Sequence, residues 1–141
     1  MGMDKATASA DRDQDRDKRL SEGPQTFRLQ EQVARLRRDE EYREHGKSSI
    51  ILSRKEQLRV VLSSLQRQKE MEPHHTDGPF SLEVLEGSVQ LQWGDNETCT
   101  VREGELLTFP GRIEHSVLAL ETCAFLLTLY QGTQPAVNIP H

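Results

Sequence analysis

Two short stretches of this 141-residue chain each place histidine beside a turn. The first is Pro73-His74-His75-Thr76-Asp77-Gly78-Pro79-Phe80, which leads into the apolar run Leu82-Glu83-Val84-Leu85-Glu86-Gly87. The second runs from Gly104 to His115 and contains Pro110 and Gly111. Imidazole nitrogens coordinate metals and form hydrogen bonds with ligands, so these histidines are the candidates for chemistry. Because glycine and proline favour sharp turns, we expect each histidine to lie on a strand or at a strand edge.

The composition excludes several classes of function. The formal net charge is −5, and no basic stripe with interleaved aromatic residues is present, so we expect no nucleic-acid partner. No apolar run has the length of a membrane span, and no N-terminal segment is typical of a secretory signal. Cys99 and Cys123 do not make a disulfide framework. These features predict a cytoplasmic protein with no membrane partner.

Residues 1–25 form a charged leader, in which acidic and basic side chains alternate and Leu20 is the single large apolar residue besides methionine. Such a segment cannot bury enough apolar surface to offset its ordering entropy, so we expect it to be disordered. The breaker cluster Ser21-Glu22-Gly23-Pro24 marks the boundary with one ordered domain at 26–141.

A helix is predicted at 27–45. Leu29, Val33 and Leu36 recur at the spacing of one helical face, and Gly46 stands where a C-terminal cap would fall. So short an apolar stripe needs a partner surface, and we expect it to pack across the outside of the domain.

From residue 48 onward the pattern becomes that of short strands, with turn signals every eight to twelve residues and no intervening helix. This pattern predicts an all-β antiparallel barrel or sandwich. The predicted strands are Ser49–Leu52, Leu58–Leu62, Phe80–Glu86, Val89–Trp93, Thr98–Val101, Leu106–Phe109, Ser116–Leu120 and Phe125–Tyr130.

The first histidine stretch resembles the first signature motif of the cupin superfamily, in which a His-x-His pair is followed by a glutamate and then by a glycine seven residues further on. Gly87 matches that glycine, which places Phe80 at the position of the glutamate. The same spacing puts His75 at the second histidine and Pro73 at the first. One histidine and the carboxylate are therefore replaced. His74 is additional, and on an extended backbone it faces away from His75.

The second stretch resembles the second cupin motif more fully. Gly104, Pro110 and His115 occupy the positions of the motif's glycine, proline and histidine. The departures are Arg112, where a glycine is usual, and Ala119, where an asparagine is common.

The resemblance implies a cupin double-stranded β-helix, a jelly-roll-like barrel, with the N-terminal helix outside it. It also implies a site at His75 and His115 for a divalent metal such as Zn, Ni, Mn or Fe, in a pocket with Phe80, His74 and Trp93. Two functions stay open. One is a non-catalytic barrel with a degenerate metal site that binds a small molecule, in which the histidines form a polar pair for an anionic or carbonyl-bearing ligand. The other is a metal-dependent enzyme of the dioxygenase or isomerase type that uses His75 and His115.

We also expect a homodimer, because an antiparallel barrel leaves strand edges that need cover. Cupin relatives commonly pair through an edge strand or exchange an N-terminal segment. The candidate segment here is Ser48–Leu52.

Overall fold

The computed structural model describes residues 23–74 and 76–130. The charged leader before residue 23, His75 and the segment 131–141 lie outside the described residues, as do the predictions made for them. At the start of the described chain, Gln25 Oε1 accepts a hydrogen bond of 2.9 Å from Lys55 Nζ.

Two helices stand where the sequence predicted one at 27–45: α1 (Leu29–Arg37) and α2 (Glu40–His45). They are separate because Asp39 is extended, with φ −65° and ψ 142°, and its carboxylate accepts a hydrogen bond from Ser48 Oγ. Gly46 ends α2 in the left-handed region, as predicted, and its N–H donates to the Tyr42 carbonyl at 2.7 Å. No helix in the described ranges has the length and hydropathy needed to span a membrane.

Within the described residues, nine antiparallel strands follow and form two sheets. They are β1 (Lys47–Lys55), β2 (Leu58–Leu65), β3 (Glu70–His74), β4 (Phe80–Glu86), β5 (Ser88–Trp93), β6 (Glu97–Arg102), β7 (Leu106–Phe109), β8 (His115–Ala119) and β9 (Cys123–Tyr130). Sheet A has the order β1-β2-β9-β4-β7, and sheet B has the order β3-β8-β5-β6. The all-β prediction is confirmed.

β3 is not among the strands predicted from the sequence, although the histidine stretch at its end was expected on a strand or at a strand edge. The structure places β3 at the edge of sheet B, where Pro73, a residue without an N–H, is tolerated. Its pairing with β8 also shifts register between Met71 and His74.

The inner faces of the two sheets enclose the main core. Its largest fully buried side chains include Phe125, Leu82 and Leu91. The outer face of sheet A carries a second core, in which Val33 and Leu36 of α1 pack against Leu52, Leu62 and Ala124. The helix therefore covers the outside of the barrel, as its amphipathic pattern predicted.

Arg37 ties α1 to the barrel. Its Nε donates to Ser64 Oγ at 3.1 Å, and Ser64 Oγ donates in turn to the Cys123 carbonyl at 2.9 Å. Arg37 Nη2 lies 2.8 Å from Glu86 Oε2, although the angle of this ion pair does not suit a hydrogen bond. The end of the helix is thus fixed to three strands.

Candidate functional site

His115 begins β8 and is buried, with 4% of its surface exposed. Its Cα is paired with His74 of β3 on one side and with Trp93 of β5 on the other. Its Nδ1 lies 2.9 Å from the Ile113 carbonyl. A carbonyl oxygen only accepts hydrogen bonds, so Nδ1 carries the proton and the lone pair of the neutral ring is on Nε2.

Aromatic rings surround this imidazole. The Phe80 ring centroid lies 4.8 Å from that of His115, and the Phe109 centroid lies 5.2 Å from it. Phe80 and Phe109 are 5.4 Å apart, and Trp93 meets Phe109 edge-on, also at 5.4 Å. These spacings are those of favourable aromatic pairs. Rings from β4, β5, β7 and β8 therefore form one apolar layer across this end of the barrel, which we call the mouth layer.

Two loops position the mouth layer. The Arg112 N–H donates to the Thr76 carbonyl at 2.7 Å, and Thr76 Oγ1 donates to the Gly78 carbonyl, also at 2.7 Å. Gly111 packs directly on Gly78, since a Cβ at Gly111 would lie 2.5 Å from the Gly78 carbonyl. The loop before β4 and the loop before β8 are therefore held together, and they place Phe80 beside His115.

Arg112 has a φ of 69°, in the left-handed region that glycine adopts most easily. The second cupin motif usually has a glycine at this position. Arg112 therefore adopts a backbone conformation that suits the usual glycine, and it adds a long cationic side chain to the loop.

A cleft of about 720 Å³ opens beside the mouth layer, and we call it the mouth cleft. It lies between the β5–β6 hairpin and the loop that enters β8. Trp93 and His115 line it together with polar and charged residues: Gln92, Asp95, Asn96, Glu97, Arg112, Glu114 and Ser116. The Ser116 hydroxyl donates to Gln92 Oε1 at 3.4 Å, and Gln92 Nε2 donates to Gln90 Oε1 at 2.8 Å. The cleft thus has an aromatic wall and a polar rim.

Of the residues singled out in the sequence, Phe80, Trp93 and His115 come together. The backbone of His74 lies opposite His115, and His75 lies outside the described residues. Sequence reasoning missed Phe109, which contacts all three rings. The signal that could have found it is the alternation of Leu107 and Phe109, which puts both on the inner face just before Pro110.

The metal implied by the resemblance can be tested against the residues of this layer. Phe80 is buried against His115 where the motif would supply a carboxylate, and a phenyl ring offers no ligand atom. Within the described side chains, no three His, Cys, Asp or Glu residues converge. His115 is the one described ligand candidate of the motif, and a catalytic zinc commonly takes three from the protein. The described residues do not fit a complete metal site.

The sequence matches no protein-family profile and no curated protein. Solved structures do match, with low sequence identity. A cupin superfamily protein from Desulfitobacterium hafniense is 14% identical with a TM-score of 0.57, over 61% of this chain and 78% of that one. A cupin-2 domain containing protein from Shewanella frigidimarina is 18% identical with a TM-score of 0.60, over 75% and 95%.

A further match is an RmlC-like cupin from Methanocaldococcus jannaschii, described as having a double-stranded β-helix fold. It is 18% identical with a TM-score of 0.57, over 62% of this chain and 82% of that one. The two sheets, the loops around His115 and these structural matches agree, and the chain has the cupin fold.

Proposed function

We propose that the protein binds a small molecule in the mouth cleft and does not catalyse a reaction on it. The observation that carries the proposal is that the Phe80 ring packs against His115. Phe80 thus puts a phenyl ring at the position where the first motif has a carboxylate. The loss of a negative charge and the exclusion of water from the mouth layer both lower the affinity of the site for a divalent cation. An aromatic wall with a few convergent polar groups is typical of a small-molecule site.

The lining of the cleft favours a ligand with a flat or apolar body and an anionic or carbonyl group. The Trp93 indole supplies a broad apolar surface, and the Arg112 guanidinium supplies donors suited to a carboxylate or carbonyl oxygen. Gln92 and Ser116 add groups that both donate and accept. Asp95, Glu97 and Glu114 at the rim disfavour ligands with several negative charges.

Trp93 is the single tryptophan of the chain, so its fluorescence reports on the cleft directly. We expect a saturable change with pyruvate or benzoate, and a weaker change with the neutral amide benzamide. Arg112→Gln should reduce the carboxylate response, while the control Arg102→Gln, on an exposed arginine of β6, should leave it unchanged. A response to none of the three probes, or one that Arg112→Gln and Arg102→Gln alter equally, would contradict a site in this cleft.

Calorimetric titration with zinc, nickel, manganese and iron(II) tests the metal-dependent alternative. We expect weak binding or none to the unmodified protein, because Phe80 supplies no ligand. If His75 and His115 converge, Phe80→Glu should strengthen binding, and Phe80→Glu combined with His115→Ala should abolish it. Tight stoichiometric binding by the unmodified protein would replace our proposal by the enzyme hypothesis.

A further inference from the structure

The β1–β2 hairpin places two arginines side by side on the inner face of sheet A. Arg54 of β1 is paired with Arg59 of β2, and Arg59 is paired with Leu129 of β9, a residue of the main core. Val61, two positions after Arg59, also packs against that core. Directly opposite residues of neighbouring strands share a face, and alternate residues of a strand do the same. Both arginines therefore stand on the inner side of the sheet, and we call them the arginine pair.

Arg59 is half-buried, and its Nε is a buried donor without a hydrogen-bond partner. Among the described side chains one other buried nitrogen is in this state, Arg37 Nη2, and it lies 2.8 Å from the carboxylate of Glu86. Arg37 thus has a counter-charge. None of the ion pairs between described residues includes a member of the arginine pair, although Glu56 lies in the turn of the same hairpin.

Two unfavourable terms therefore meet at the arginine pair. A charged donor that is withdrawn from water without an acceptor costs free energy, and like charges directly opposite each other on neighbouring strands repel. A water molecule that accepts from Arg59 Nε removes the first cost but leaves the second. An anion removes both, because it accepts hydrogen bonds and also neutralises charge.

The geometry of the side chains indicates the class of anion. A guanidinium group presents its donors as a planar fork, which matches the two neighbouring oxygens of a carboxylate or a phosphate. Arg54 is exposed, so one side of the arginine pair is open to solvent. On the other side Leu129 is paired with Phe80 in the same row of sheet A, which provides an apolar border toward the mouth layer.

We propose that the arginine pair binds an oxyanion, the carboxylate or phosphate group of a small molecule. Arg59 donates from Nε and one Nη to two of its oxygens, and Arg54 adds a second positive charge on the solvent side. Both arginines precede the two histidine stretches, and neither lines the mouth cleft. The site is therefore independent of the ligand proposed for that cleft.

Calorimetric titration with inorganic phosphate and, separately, with acetate tests the site, in chloride buffer at constant ionic strength. The unmodified protein should bind at least one of the two saturably, and the tighter one identifies the preferred group. Arg59→Met should raise its dissociation constant at least about tenfold, because a charge-assisted pair of hydrogen bonds is lost. Arg54→Met should raise it less, about threefold, since an exposed charge is screened. Arg102→Met, on an exposed arginine of β6, is the matched control and should leave it unchanged.

Thermal unfolding provides a second measurement. Arg59→Met removes the unpaired donor together with its charge, so without added anion we expect it to be at least as stable as the unmodified protein. The tighter-binding anion should raise the Tm of the unmodified protein by mass action, and it should raise that of Arg59→Met much less. Arg59→Lys keeps a positive charge but lacks the fork, so its response should be intermediate.

Three results would each overturn the proposal. They are the absence of saturable binding of either anion, equal weakening by Arg59→Met and Arg102→Met, and binding that Arg112→Gln abolishes while Arg59→Met preserves it. The third result would place the anion in the mouth cleft. The Trp93 fluorescence of Arg59→Met with benzoate tests the mouth cleft separately, and we expect it to match that of the unmodified protein.

Discussion

Phe80 shows most directly how one residue changes what the site can do. It stands at the position on β4 where the first motif has a carboxylate. In place of a negative charge, it provides an aromatic ring that packs against His115. The sequence revealed the substitution itself, since counting back from Gly87 is enough. It did not reveal that Phe109 and Trp93 extend the wall, because contacts between different strands depend on a register that no local pattern records.

Cys123 is fully buried, and burial raises the pKa of its thiol to about 11. Above pH 9 the thiol therefore ionises in the unfolded chain but stays protonated in the folded one. Ionisation lowers the free energy of the unfolded state, and we expect this residue to lower stability by about 1.4 kcal/mol per pH unit between pH 9 and 11. Below pH 9 it should contribute no pH dependence.

Denaturant unfolding of the protein and of Cys123→Ala at pH 8, 9, 10 and 11 measures this effect. The variant will be less stable at pH 8 because of the lost side-chain volume, but its stability should fall less steeply above pH 9. Parallel curves for the two proteins over the whole range would rule out a thiol that stays protonated.

At the scale of elements, the contact between the loop before β4 and the loop before β8 determines the positions of the motif residues. Sequence reasoning placed Gly78, Pro110 and Gly111 at turns but could not show that the two turns touch. Their contact depends on how β4 and β7 pair in sheet A, which brings Phe80 opposite Phe109. The helical region is a second example. The prediction for 27–45 identified the apolar face that packs on the barrel, but it did not identify the break between the two helices at Asp39.

Gly111→Ala should separate these loops. The added Cβ would lie 2.5 Å from the Gly78 carbonyl carbon and oxygen, which are backbone atoms without a rotamer to change. We expect a loss of about 1–3 kcal/mol in stability, typical of overpacking, together with a changed Trp93 emission as the mouth layer shifts.

Gly23→Ala is the control for the emission. Its φ of 69° gives alanine a backbone cost at this position, but nothing lies within 4 Å of the added Cβ and the site is distant in sequence from both loops. The Trp93 emission of this control should be unchanged. A Gly111→Ala protein with unchanged stability and emission would show that the loops are not in tight contact.

At the scale of the whole molecule, sheet A separates two hydrophobic cores that join different parts of the fold. The inner core joins both sheets, whereas the outer core joins α1 to one face of one sheet. The hydrophobic periods in the sequence predicted both layers, because amphipathic stripes report which side of an element is covered. They did not predict the strand order, in which β2 and β9 or β3 and β8 pair across long stretches of chain.

Leu36→Ala and Leu91→Ala compare the two cores with the same chemical change. Both leucines are buried, and each substitution should cost about 2–5 kcal/mol where the surroundings cannot relax. We expect Leu91→Ala to lower the protection of all the strands against hydrogen exchange. Leu36→Ala should expose α1 selectively, because the helix can detach while the barrel stays closed. If both variants lower the protection of helix and strands alike, the two layers form one cooperative unit.

The place of β9 also constrains how the protein is made. This strand ends at Tyr130, yet it lies between β2 and β4 in the middle of sheet A. While the ribosome is still synthesising residues 123–130, β2 and β4 have been translated but lack the strand that joins them. β2 and β4 cannot form their hydrogen bonds with β9 until residues 123–130 have been synthesised, so sheet A cannot close before then. In that interval the unpaired edges and apolar faces of β2 and β4 are available for association with other chains.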